Sequence, residues 1–192
     1  MDIFSAFGLS ASAGLNAYIP LLVVALLGKF TNLITLNSPW NTLESWWVIG
    51  ILIVLSIVEF FADKIPAVIH VNDIIQTVIR PVAGAIVFAA SAKIITDVHP
   101  ILAMAMGLLV AGGIHAVKSL AVRPAVTATT AGAGNIPVSI AEDILSTVVS
   151  IIAAITPVII AVILVLTGAL LVLWIWRRVN RERAKYKNPE VR

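Results

Sequence analysis

Between Ile144 and Trp176 the chain runs for 33 residues without a charged side chain. As one helix that run would be about 50 Å long, whereas a bilayer's hydrocarbon core is roughly 30 Å thick and is crossed by about twenty apolar residues. The composition agrees: 60% of the chain is hydrophobic and 12% charged, about half the charge usual in soluble domains. These features exclude a soluble globular domain and a disordered chain. With no cysteine, a disulfide-stapled secreted domain and thiolate metal chemistry are excluded as well.

Six apolar segments are long enough to propose as spans: about 3–28, 45–63, 81–96, 98–120, 138–155 and 157–177. The last two run together, and Pro157 after Thr156 is the natural place for a break; without a turn there, one tilted helix would replace two spans. The only early charge is Asp2, so 3–28 reads as a retained element rather than a cleaved signal. The fold class is therefore all-α and polytopic: one transmembrane domain over 1–178 and a basic tail over 179–192.

Seven of the thirteen Lys and Arg residues lie at Arg177, Arg178, Arg181, Arg183, Lys185, Lys187 and Arg192. With six spans, these join Lys64, Arg80, Lys118 and Arg123 on one side, against Lys29 and Lys93 on the other. That bias predicts both termini in the cytoplasm. The tail also suits anionic lipid head groups, while its single aromatic, Tyr186, and lack of a motif argue against nucleic acid.

The two halves, about 1–97 and 98–178, share short matches. Gly14-Leu-Asn-Ala17 aligns with Gly113-Ile-His-Ala116, Ser56-Ile-Val-Glu59 with Ser139-Ile-Ala-Glu142, and Pro81 with Pro157. Three spans per copy would insert the second copy upside down, as in inverted-repeat transporters with interrupted helices.

Ionisable residues at membrane depth are the candidate site, because each is costly there without a partner or a task. Glu59 and Asp63, four apart, share a helix face and can hold a cation through oxygen or share a proton. His70, Asp73, Thr77 and Arg80 form a polar stripe opposite Ile74, Ile75, Val78 and Ile79, which reads as an amphipathic interfacial helix or a re-entrant segment. His115, Lys118 and Arg123 precede Gly132, Gly134 and Asn135, where free N–H groups at a helix start suit an anion. Glu142 and Asp143 follow, and acids there also complement the helix dipole. Asn16, four residues before Pro20, predicts a helix interrupted near mid-membrane. Gly8 and Ser12 are small residues at packing spacing.

Asn16, Glu59, Asp63, His115, Asn135 and Glu142 are thus the expected lining of an ion or solute pathway. Arg80, Lys118 and Arg123 would neutralise its acids or attract an anion. No Ser/His/Asp set, Walker loop or HExxH is present, so neither enzymatic activity nor a cofactor is expected, and no metal is assigned. The small size and many small residues suggest a homo-oligomer.

Ala13-Gly-Leu-Asn-Ala-Tyr-Ile-Pro20, Glu59-Phe-Phe-Ala-Asp-Lys-Ile-Pro66, Asn72-Asp73 with Ile79-Arg-Pro81, and Arg123-Pro124 through Gly134-Asn135 together resemble one bacterial membrane-protein family, known as domain of unknown function 4126. The resemblance implies a small inner-membrane protein and brings no settled activity. Ile69 stands where relatives are expected to carry an acid. Glu59 with Asp63-Lys64, echoed by Glu142-Asp143, is also similar to the paired acidic signatures of six-span cation/proton exchangers, with wider spacing and no glycine. The leading function is a small secondary transporter or channel. A non-transporting scaffold or lipid-binding protein is the alternative.

Overall fold

The computed structural model describes residues 3–92 and 99–187. Among them are eight α-helices and no strand: α1 (Ile3–Leu15), α2 (Tyr18–Phe30), α3 (Trp46–Ala62), α4 (Pro66–Ala92), α5 (Pro100–Val117), α6 (Arg123–Thr130), α7 (Asn135–Ile155) and α8 (Pro157–Lys187). A π-helical stretch, Lys118–Val122, joins α5 to α6 without a break, and a short 3-10 turn, Trp40–Glu44, precedes α3. Among the described residues four segments are long and apolar enough to cross a bilayer: Val71–Ser91, Pro100–Thr130, Asn135–Ile155 and Pro157–Asn180.

The expected single crossing over 3–28 is instead a helical hairpin. Phe7 stacks edge-on against Phe88 and packs near Ala103 and Trp40. Phe30, at the far end of α2, stacks on Trp46, and Lys29 bonds the Glu44 carbonyl at 2.8 Å. Both arms therefore start from one end of the molecule, here the tryptophan end, and meet at Asn16–Ala17. Each arm has 13 residues, about 20 Å at 1.5 Å per residue, too short to cross a bilayer. The predicted interruption at Asn16 is present, and it reverses the chain. The Asn16 side-chain oxygen accepts from the N–H groups of Tyr18 and Ile19, both at 3.1 Å, satisfying donors that a new helix start leaves open.

Eight of the thirteen residues of α1 are Gly, Ala or Ser, and it fills the centre of the bundle, against α4, α5, α7 and α8. Ser10 donates to the Gly84 carbonyl at 2.8 Å, and Gly14 lies against Ala111 and Ile114. Ser12 meets Ser146 and Ser150 at 2.7 Å each. Behind α1, α4 crosses α5 at Gly84 and Gly107, where a Cβ on either glycine would collide with the other's carbonyl oxygen. Lipid tails are as apolar as leucine, so close backbone approach and interhelical hydrogen bonds take over the work of hydrophobic burial.

The contacts of α1 also fix chain direction. Ala6 is level with Ala103, and Gly14 with Ala111, so α1 and α5 run the same way. Inverted repeats starting with these two helices would require opposite directions. The turn at Asp63–Ile65 and the turn between α6 and α7 lie at the other end, the charged end. Ile3 packs at the tryptophan end, so α1 does not begin at the end that holds Lys64, where the six-span topology would start it.

The 70–80 segment is likewise not a separate interfacial helix. Pro81 lies inside α4, which runs on unbroken. Asn72, Gln76 and Arg80 are buried, with Arg80 0% exposed, while Ile74 and Val78 are 73% and 66% exposed. Asn72, Gln76 and Arg80 thus face the protein, Asp73 is half-buried and Thr77 exposed at the margin, and Ile74, Ile75 and Val78 look outward, the reverse of a soluble helix and the arrangement expected in lipid. α3 is built the same way, with Glu59 buried and Val54 and Phe61 outside. The remaining boundaries shift modestly. The 98–120 span extends through the π stretch to Thr130, and the break before Pro157 is present at Thr156. α8 continues into the expected tail as far as Lys187. Lys93, the end of the 81–96 span, the repeat boundary at 97–98 and Arg192 lie outside the described residues.

Candidate functional site

Asp63 sits where α3 ends, one helical turn beyond Glu59, so both carboxylates leave the same face. Glu59 Oε1 accepts from Arg80 at 2.8 Å, with both side chains fully buried. Asp63 Oδ2 lies 3.5 Å from Arg80, 3.6 Å from Lys118 and 3.2 Å from Arg123, and its Oδ1 accepts from Asn72. One carboxylate thus gathers three cations from α4, the π stretch and α6. Lys118 continues to Glu142 on α7 at 2.7 Å, and Arg123 to Asp73 on α4 at 3.1 Å. A neighbouring pair, Lys64–Asp143 at 3.0 Å, is joined by Asn16, whose amide donates to Asp143 at 3.0 Å.

The π stretch explains how α5 and α6 contribute two cations to one acid. Lys118 and Arg123 are five residues apart, about 140° apart around an ordinary helix of 3.6 residues per turn. The i→i+5 bonding widens the turn and draws them toward one face. Lys118 also donates to the Leu15 carbonyl at 3.3 Å, capping one of the groups released at the hairpin tip.

His115 lies between Arg80 and Thr77. Its Nδ1 is 3.2 Å from the Arg80 guanidinium and its Nε2 is 3.2 Å from the Thr77 hydroxyl. A guanidinium only donates, so Nδ1 must accept and the proton sits on Nε2. The Thr77 hydroxyl accepts that hydrogen bond and donates its own to the Asp73 backbone carbonyl at 2.8 Å. With a neutral imidazole, five carboxylates (Glu59, Asp63, Asp73, Glu142, Asp143) face four cations (Lys64, Arg80, Lys118, Arg123). Among the described residues the network thus has one carboxylate more than it has cations. Two buried oxygens beside Arg80 also lack a partner, Glu59 Oε2 and Gln76 Oε1. The Tyr18 side chain hydrogen-bonds Gln76.

Of the residues singled out from sequence, Asn16, Glu59, Asp63, His115, Glu142, Arg80, Lys118 and Arg123 converge on this network. Asn135 does not. It opens α7 at the charged end, where its amide donates to Thr127 at 2.9 Å, and it lines a cavity of about 440 Å³ shared with Asp73 and Arg123. The anion cradle expected at the start of α7 also changes character, because Lys118 and Arg123 turn inward onto carboxylates. Asn72, Asp73, Gln76, Lys64 and Tyr18 join the site without having been assigned to it from sequence. The four-residue spacing of Asn72, Gln76 and Arg80 was the signal that could have found two of them. A groove of about 260 Å³, bounded by Asn16, Ser56, Phe60 and Asp143, approaches from the side between α2, α3 and α7. Among the described residues no cluster of three His, Cys, Asp or Glu residues suits a metal ion.

Outward-facing aliphatic helices around an interior set of compensated charges define a polytopic α-helical membrane protein with a buried polar centre. Residues 3–178 match the family described as a domain of unknown function (DUF4126), and the chain belongs to that family. No curated protein and no solved structure matches it.

Proposed function

We propose that the protein is a small secondary transporter or channel whose pathway runs through the Glu59–Arg80–Asp63 centre. The carrying observation is Glu59. One of its oxygens is held by Arg80 and the other is buried without a partner, in a network with one carboxylate in excess. A proton or a monovalent cation at Glu59 would balance that excess, and its loss and gain would be the coupling step. Asn16 and Glu142 flank this centre through Asp143 and Lys118, and Asn135 stands at the cavity that leads to it. The Lys and Arg bias supports inner-membrane residence with the charged end in the cytoplasm, and that end carries any contact of Arg177 and Arg178 with anionic lipid. Assembly of several copies through lipid-facing helices such as α8 belongs to the same reading.

Flux into sealed proteoliposomes under proton and cation gradients tests it. Wild type should conduct, and Glu59→Gln should abolish flux while keeping its melting temperature. Absence of flux from folded, inserted wild type overturns it.

A second reading has its own support. All four cations are paired and Asp63 is gripped by three of them, as a structural lock in a scaffold or lipid-binding protein would require. On that reading Glu59→Gln lowers thermal stability, because Arg80 loses its closest partner.

A further inference from the structure

Among the described residues, the ion pairs of the network can be matched one to one until a single acid is left. Lys64 lies 3.0 Å from Asp143, Lys118 2.7 Å from Glu142 and Arg123 3.1 Å from Asp73. Arg80 then remains for two carboxylates, Glu59 at 2.8 Å and Asp63 at 3.5 Å. Asp63 is the better supported as an anion. Lys118 and Arg123 also stand 3.6 Å and 3.2 Å from its Oδ2, and Asn72 donates to its Oδ1. Glu59 has a donor on one oxygen only. Its Oε2 is buried without a partner, and its side chain is 0% exposed. Two carboxylates that share one cation out of water do not both stay ionised, and the one with fewer donors takes the proton.

The missing positive charge has no better source nearby. His115 cannot supply it, because its Nδ1 faces the Arg80 guanidinium at 3.2 Å and a proton there would set two donors against each other. A hard metal cation takes a shell of about six oxygens, and at Oε2 it would lie beside the guanidinium that holds Oε1, which repels it. A proton needs one lone pair and no shell. Oε2 offers that lone pair.

We infer that Glu59 is a neutral carboxylic acid in this conformation and that the proton is the ion carried by the pathway proposed above. The second half rests on that transport reading, while the first stands on the matching of charges and donors. The groups that set its protonation are Arg80 from α4, Asp63 from its own helix end, Lys118 from the π stretch and Tyr18 from α2.

Infrared difference spectroscopy of the full-length protein in lipid vesicles tests the proton without any need for transport. Exposed carboxyls are ionised at neutral pH, so a protonated-carboxyl band there reports a buried acid, and its shift in heavy water confirms an O–H. The band is expected in wild type and in Glu44→Gln, which lies outside the network, and should be lost in Glu59→Gln. Glutamine copies the neutral acid in shape and charge, so that variant should keep the wild-type melting temperature. Should Glu59→Gln fail to fold, wild type grown with heavy carbon in the side-chain carboxyl of glutamate decides alone, because the band must move with that label and stay put with labelled aspartate. No band at neutral pH, a band that persists in folded Glu59→Gln, or one that moves with labelled aspartate would overturn the inference. A Glu59 band without proton flux refutes transport and leaves the protonated acid standing. Glu59-dependent flux of sodium or potassium without the band does the opposite.

Discussion

Along its helices the protein has two regions joined by different forces. Toward the tryptophan end, α1, α4, α5 and α7 meet through glycine, alanine and serine, with backbones close enough that a methyl group does not fit between Gly84 and Gly107. Toward the charged end, the same helices and α3 are joined by long side chains that reach across wider gaps to share carboxylates. The first arrangement draws on dispersion and steric fit, which tolerate little change in volume. The second depends on charge balance, which tolerates volume change but not the loss of a partner. A chain in lipid needs both, because burying apolar surface against other apolar surface gains almost nothing there.

The sharpest way to break this contrast is at Arg80. Arg80→Met keeps the volume and leaves Glu59 without its closest partner, and it should cost about 3–5 kcal/mol, read as the thermal midpoint in micelles. Adding Glu59→Gln to Arg80→Met should recover part of that loss, and a double-mutant cycle measures the coupling. At the other end Gly107→Ala should cost about 1–3 kcal/mol by overpacking against Gly84. Gly113→Ala, with open space around it, should be neutral or stabilising by up to about 1 kcal/mol. If the two glycine variants melted alike, close approach would not be what holds α4 to α5.

A smaller effect is expected from Ser146→Ala, which removes one hydroxyl from the trio with Ser12 and Ser150. Interhelical hydrogen bonds in membranes average about 0.6 kcal/mol, so a midpoint shift of a degree or two is the expected scale. The smallest is Val78→Leu on the outward face of α4, within about 0.5 kcal/mol of wild type. A large loss there would mean that this face is packed against protein, and would point to an oligomer contact.

Much of this was legible in the chain. The interruption at Asn16, the break at Thr156–Pro157, the shared face of Glu59 and Asp63, and the membrane setting all follow from local spacing and from what lipid excludes. Two readings failed for one reason. Residues 3–28 look like one span because apolar length is visible in sequence and direction is not. The stripe from Asp73 to Arg80 looks like a surface helix because, in sequence, a polar face turned to water and one turned to buried carboxylates are the same face. Asp73 and Asn72 entered the site only once α4 lay beside α3 and α6, and Asn135 was separated from it by its position at the start of α7.

The sequence by itself determined that this chain is a helical membrane protein and which ionisable residues must be explained, because the cost of burying charge and polar backbone in hydrocarbon is a property of each segment alone. Only the tertiary structure decided which cation meets which acid, that one carboxylate is left in excess, and that the first element turns back at Asn16. Those outcomes depend on the relative direction and rotation of helices distant in sequence, on a π turn that brings Lys118 and Arg123 to one face, and on glycines that let α4 and α5 approach closely.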